Sequence, residues 1–159
     1  MRSQFCLALV LQMLTLVVFT ASAERKSISL DDFGGRDRLA GALYKYLSSK
    51  IDPVAFDFWL SQMDNKNAFK TVDNSLPAKL AIRQIALTCL EAMTGSEFSA
   101  SYGKRQEVVE IVTYRKADEA WRFQITAPTD QQFSEARVAA SFWLEGYKRG
   151  LTEAKSKAR

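Results

Sequence analysis

Histidine is absent from all 159 residues. That removes the commonest general acid–base, the commonest metal ligand and the usual partner of a serine or cysteine nucleophile. Only two cysteines are present, Cys6 and Cys89, so a zinc site built from clustered His and Cys has no ligand set. No stretch alternates Asp and Asn towards a terminal Glu, as a calcium loop does. No metal and no cofactor are therefore expected. Long single-sign charge runs are missing too: Lys148 and Arg149 stand beside Glu145 and Glu153, and the net charge is only +4. The isoelectric point near 9.1 is read as a well-solvated surface, with no nucleic-acid partner. Internal repeats and low-complexity tracts are absent.

What is present begins at the N-terminus. Arg2 precedes fifteen mostly apolar residues, Phe5 to Phe19, and Ala21-Ser22-Ala23 closes the run. A bilayer span needs about 20 apolar residues. This run is shorter, contains Gln12 and ends in the small residues that a signal peptidase reads, so residues 1–23 are expected to be a cleavable signal peptide. Cys6 lies too early for a lipoprotein cleavage site. The remainder, 24–159, is expected to be one periplasmic or secreted domain with no stable membrane span, because no second long apolar run follows. Cleavage takes away one Arg and no acid, leaving a net charge of +3 in place of +4. With only Cys89 left, no internal disulfide can form, and apolar burial must hold the fold.

Periodicity predicts an α+β domain. Leu39, Ala42, Leu43, Tyr46 and Leu47 recur at helical spacing between Arg36 and Ile51. Pro53 suits the first turn of a second helix carrying Phe56, Trp59, Leu60 and Met63, which Asp64-Asn65-Lys66-Asn67 ends. A third helix is expected from Leu76-Pro77 to Met93. It is apolar on two sides, leaving Lys79, Arg83, Gln84, Thr88 and Glu91 for water, and Gly95 can supply a left-handed end.

The segment 107–114 is rich in β-branched residues, and Trp121, Phe123 and Ile125 alternate with polar residues. Together they predict an antiparallel hairpin connected by 115–120. Ser27-Ile28-Ser29-Leu30 could extend it to a three- or four-stranded sheet. A long amphipathic C-terminal helix follows Pro128. Thr129 and Gln132 can form its capping box, and Phe133, Ala136, Ala140, Trp143, Leu144, Tyr147 and Leu151 share its inner face. From about Lys155 a frayed basic tail is expected.

The candidate sites follow from what this scheme leaves over. Val138 and Phe142 lie opposite the inner face of the last helix, amid Glu135, Glu145 and Arg149. The hairpin could cover them; otherwise Val138, Phe142, Glu145 and Arg149 have the composition of a partner-binding centre. Gly146 and Gly150, in line with Ala139, suggest that another backbone, of this chain or of a partner, crosses closely. An alternative is a small apolar ligand in a cavity lined by Phe56, Trp59, Trp121, Phe123, Trp143 and Tyr147. A third reading is an enzyme using a carboxylate pair, with Glu107 and Glu110 or Asp118 and Glu119 as candidates. Cys89 falls mid-face on the third helix and is expected to be core filler, although an unpaired thiol could also join another molecule. Elimination favours an exported, non-enzymatic domain that binds another envelope or extracellular protein as an accessory or inhibitor.

Overall fold

A computed structural model describes residues 28–70, 80–98 and 108–157. The expected signal peptide lies outside these residues. A 3-10 turn, Leu30–Phe33, leads into α1 (Arg36–Ser48) and α2 (Pro53–Ser61); then come α3 (Ile82–Thr94), β1 (Val108–Lys116), β2 (Glu119–Thr126) and α4 (Asp130–Lys157). This is the α+β arrangement read from the pattern: three helices, an antiparallel hairpin and a long C-terminal helix. Among the described residues no helix is long and apolar enough to cross a membrane.

Local chemistry sets most boundaries. The Ser48 hydroxyl donates back to the Tyr44 carbonyl at 2.9 Å, and Ser49 turns extended at φ −116°, ψ 164°. Helix α1 therefore stops three residues before the expected Ile51. Asp52 is held extended ahead of Pro53, and its Oδ1 accepts from the Val54 amide at 2.9 Å, capping α2. Gly95 ends α3 at φ +66°, donating its amide to the Glu91 carbonyl at 2.9 Å. At the start of α4, the Thr129 amide donates to Gln132 Oε1 at 2.8 Å and the Gln132 amide to Thr129 Oγ1 at 3.3 Å, the reciprocal pair expected there. The basic tail is helical through Lys157, where fraying from Lys155 was expected.

Helix α3 starts at Ile82, later than expected. Residues 76–79 lie outside the described set, but Leu80 is not helical and Ala81 is extended at φ −85°, ψ 148°. The Phe69 amide donates to the Leu80 carbonyl at 2.7 Å and the Ile82 amide to the Asn67 carbonyl at 2.9 Å, an isolated antiparallel bridge pairing Ala68 with Ala81. A distant strip of chain thus takes the backbone groups that a longer helix would have used internally.

This helix is the centre of the core. Ile82, Ile85, Ala86, Leu87, Cys89, Leu90, Ala92 and Met93 are all buried, with α1, α2 and β2 packed around them. Gln84 and Thr88, expected in water, are buried as well. Their polar atoms are satisfied, which makes burial tolerable. Gln84 accepts from the Ala81 amide at 2.6 Å and donates to the Thr126 carbonyl at 3.3 Å, and Thr88 donates to the Gln84 carbonyl at 3.0 Å.

The hairpin lies with one face on α1 and α3. Val112 pairs with Phe123 and both are buried, while the outward residue Ile111 pairs with Gln124. A ribbon this small is marginal alone and is stabilised by that docking. Its turn is tighter than the expected six-residue connection: Lys116 pairs with Glu119, and Ala117 turns at φ +49°. Ile28 and Ser29 form no strand, so the described sheet has two strands. Instead, the Ser29 amide donates to Asp32 Oδ2 at 3.0 Å and opens the 3-10 turn.

Helix α4 reaches the body through Phe133, Ala136, Ala140 and Leu144, all buried, and packs on α2. Its first turn is tied down by charge. Asp130 accepts from Lys66 Nζ and Arg83 Nη1, each at 2.7 Å, and the Arg83 guanidinium lies 4.2 Å from the Phe133 ring centroid. Hydrogen bonds from Lys66 and Arg83 hold the Asp130 carboxyl below its ordinary value. A depressed folded-state pKa contributes stability that is present above the unfolded value and is lost as pH falls through the folded one. Asp130→Asn is therefore expected to lower the melting temperature at neutral pH, with the gap to wild type closing below about pH 4. Melting curves across that range check the sign.

Candidate functional site

The 28 residues of α4 make a rod about 42 Å long, and its two sides differ. On the flanks facing the body, Arg137 pairs with Asp64 at 2.8 Å and Lys148 with Asp57 at 3.2 Å. The outer side carries Val138 and Phe142, 53% and 66% exposed. Glu145 and Arg149 are exposed beside them and have no ion-pair partner among the described residues. The hairpin does not cover this face, because it is docked on α1 and α3. The four residues expected as a partner surface are thus brought together on one uncovered helical face.

Towards its end the helix outruns the body. From Glu145 to Lys157 every residue is exposed except Tyr147, which is half-buried. Leu151, expected on the inner face, is 40% exposed for that reason. A Cβ added at Gly146 or Gly150 meets nothing within 4 Å. No backbone of the described residues crosses there, so the expected close approach is not made among them, and the strip faces open space with respect to them.

The six aromatic residues expected around a cavity are dispersed. Phe56 stacks on Trp143 with centroids 5.6 Å apart, and Trp143 stacks on Tyr147 at 5.4 Å, a ladder joining α2 to α4. Trp59 is fully buried against Phe33 and Phe58, at 4.7 and 4.9 Å. Phe123 is buried on the inner face of the sheet. Trp121 is 44% exposed, 6.0 Å from Tyr44, and Tyr44 itself stacks on Tyr114 at 4.7 Å. These rings fill the joints between elements and do not line one void.

A pocket of about 300 Å³ opens elsewhere, at the junction of α1 and α2, lined among others by Phe33, Lys45, Tyr46, Lys50, Ala55 and Met93. None of the six expected aromatics lines it. Sequence reasoning missed it, though Lys45, Ser49, Lys50 and Asp52, crowded between two helices, were a local signal of a polar mouth.

Two of the four candidate carboxylates are engaged, each with a different residue of α1. Glu110 pairs with Arg36 of α1, and Glu119 accepts from the Tyr44 hydroxyl, which raises the phenol's pKa. Asp118 is exposed in the turn, and Glu107 lies outside the described residues. No group of three or more His, Cys, Asp or Glu suited to a metal ion occurs among the described residues.

Comparison with protein families, with curated proteins and with solved structures finds no match to this chain.

Cys89 is fully buried, and loss of hydration pushes its thiol well above the ordinary value. A bulky thiol reagent should therefore label the native protein far more slowly than the unfolded chain. Cys89→Ser should lower unfolding free energy by about 1–3 kcal/mol, the cost of a hydroxyl in an apolar site, as measured by urea denaturation.

Proposed function

We propose that this protein is an exported, non-enzymatic accessory or inhibitor that binds another envelope or extracellular protein through the outer face of α4. The observation that carries this reading is the exposed pair Val138 and Phe142, flanked by the charges Glu145 and Arg149, which have no ion-pair partner among the described residues. Single exposed apolar residues are ordinary. Here two lie one helical turn apart, an aromatic and an aliphatic side chain within a charged rim, the composition of an interface centre. Burial of a phenylalanine side chain is worth about 1.5–3 kcal/mol, so a partner covering Phe142 gains appreciable free energy. The helix projects past the body and can be reached from several directions.

Export rests on Arg2, the apolar run and Ala21-Ser22-Ala23. The non-enzymatic character is supported by the missing histidine and by carboxylates already committed to Arg36 and Tyr44.

Phe142→Asp should abolish recovery of the partner in pull-downs from the native compartment while leaving the circular dichroism spectrum and melting temperature unchanged. Undiminished recovery by a folded Phe142→Asp protein overturns the proposal.

The glycine strip yields an independent prediction. Gly146→Ala and Gly150→Ala have open space for the new methyl, so each should stabilise the free protein by about 1 kcal/mol. If the partner's backbone seats on the strip, the same variants should weaken binding. Denaturation and binding measured on the same preparations separate the two effects.

A further inference from the structure

We propose that the pocket between α1 and α2 binds a small organic acid with a short apolar body, its carboxylate held by Lys45 and Lys50 beside the Tyr46 hydroxyl and its body lying on Phe33, Ala55 and Met93. The pocket shares no residue with α4, so this inference goes beyond the partner-binding reading and stands without it. Its volume of about 300 Å³ lies at the low end of the range of about 300–1,000 Å³ for small-molecule sites. Phe33, Ala55 and Met93 belong to the buried core, which gives the pocket a rigid apolar floor.

The mouth carries both signs of charge, and the two signs are engaged differently. Asp52 Oδ1 already accepts from the Val54 amide at 2.9 Å, and Asp32 Oδ2 from the Ser29 amide at 3.0 Å. Both acids are used to cap the turns that begin beside them. Lys45 and Lys50 are exposed, and neither ammonium has a partner among the described residues. A ligand entering here therefore meets two ammonium groups without a partner among the described residues, beside carboxylates that each already accept a backbone amide, and the ammonium groups favour an anion.

Tyr46 adds a directional contact. Its oxygen accepts from Trp59 Nε1 at 3.1 Å, and Trp59 is fully buried, so the phenol oxygen is anchored. The hydroxyl hydrogen has no acceptor among the described residues. Desolvation raises the phenol's pKa, which keeps that hydrogen in place at neutral pH. That hydrogen remains available to donate to a carboxylate at the mouth, which as a charged acceptor makes the stronger hydrogen bond. The apolar floor then discriminates against small hydrophilic anions, since they leave that surface wet.

Isothermal titration calorimetry at pH 7 and low salt tests this with three probes of equal chain length, octanoate, octylamine and octanol. Octanoate should bind, with octylamine and octanol roughly tenfold weaker. The double variant Lys45→Gln, Lys50→Gln should weaken octanoate roughly tenfold and erase its advantage over octanol. Both lysines are exposed, so folding should be unaffected, and circular dichroism verifies that. Methyl resonances of Ala55 and Met93 should shift on octanoate addition. Equal binding of octylamine and octanoate, unchanged octanoate binding by the folded double variant, or shifts confined to other methyls would each overturn the proposal. So would vesicles of anionic phospholipid that bind through the lysines without competition from octanoate, since the cations would then belong to a membrane contact.

Discussion

The near-complete burial of α3 is the constraint on which the other elements depend. No internal disulfide is present among the described residues, where Cys89 is free, so cohesion there comes from apolar area removed from water. A helix with ten of its thirteen residues buried can exist only if neighbours cover it on nearly every side. Helix α1, helix α2 and the hairpin supply that cover. The hairpin in turn is stable because it has this surface to lie on. Of the polar atoms that the arrangement buries, those of Gln84 and Thr88 donate to backbone carbonyls, whereas Arg83 Nε has no hydrogen-bond partner among the described residues.

Helix α4 stands in a different relation to that core. It adds four buried side chains of its own, yet it contacts the body through α2 and through ion pairs at Asp130, Arg137 and Lys148. Exposed pairs of this kind are each worth little. They flank the apolar contacts, and those contacts set the rotation of the helix about its axis. With Phe133, Ala136, Ala140 and Leu144 turned inward, Val138 and Phe142 have to point out. The uncovered face is thus a geometric consequence of how the helix is docked. The pocket between α1 and α2 arises from the same economy of contacts, because a helix ending at Ser48 leaves a short extended crossing to Asp52 that cannot fill the joint.

Much of this was legible in the residues. Thr129 and Gln132 marked the start of α4, Gly95 the end of α3 and Pro53 the start of α2, each through a hydrogen-bonding or dihedral rule that acts within a few residues. Alternation in 121–126 foretold the inward side of the hairpin. The opposition of Val138 and Phe142 to the inner face of α4 followed from helical geometry alone. Less legible were Leu47 and Leu151, apolar at helical spacing yet exposed, and Gln84, polar yet buried. Periodicity reports which residues share a face, but not how far a neighbouring element extends along it.

By itself, the sequence determined the class of fold, the order and type of its elements, the lack of histidine chemistry and the faces of its helices, because these depend on interactions between residues close along the chain. Tertiary structure decided where α3 begins, since the bridge of Ala68 with Ala81 joins distant segments. It also placed the hairpin on α1 and α3 and not over Phe142, separated the aromatic residues into different joints, and opened a pocket at a place no periodicity marks. Those outcomes depend on which surfaces meet, and surfaces meet only once the whole chain has packed.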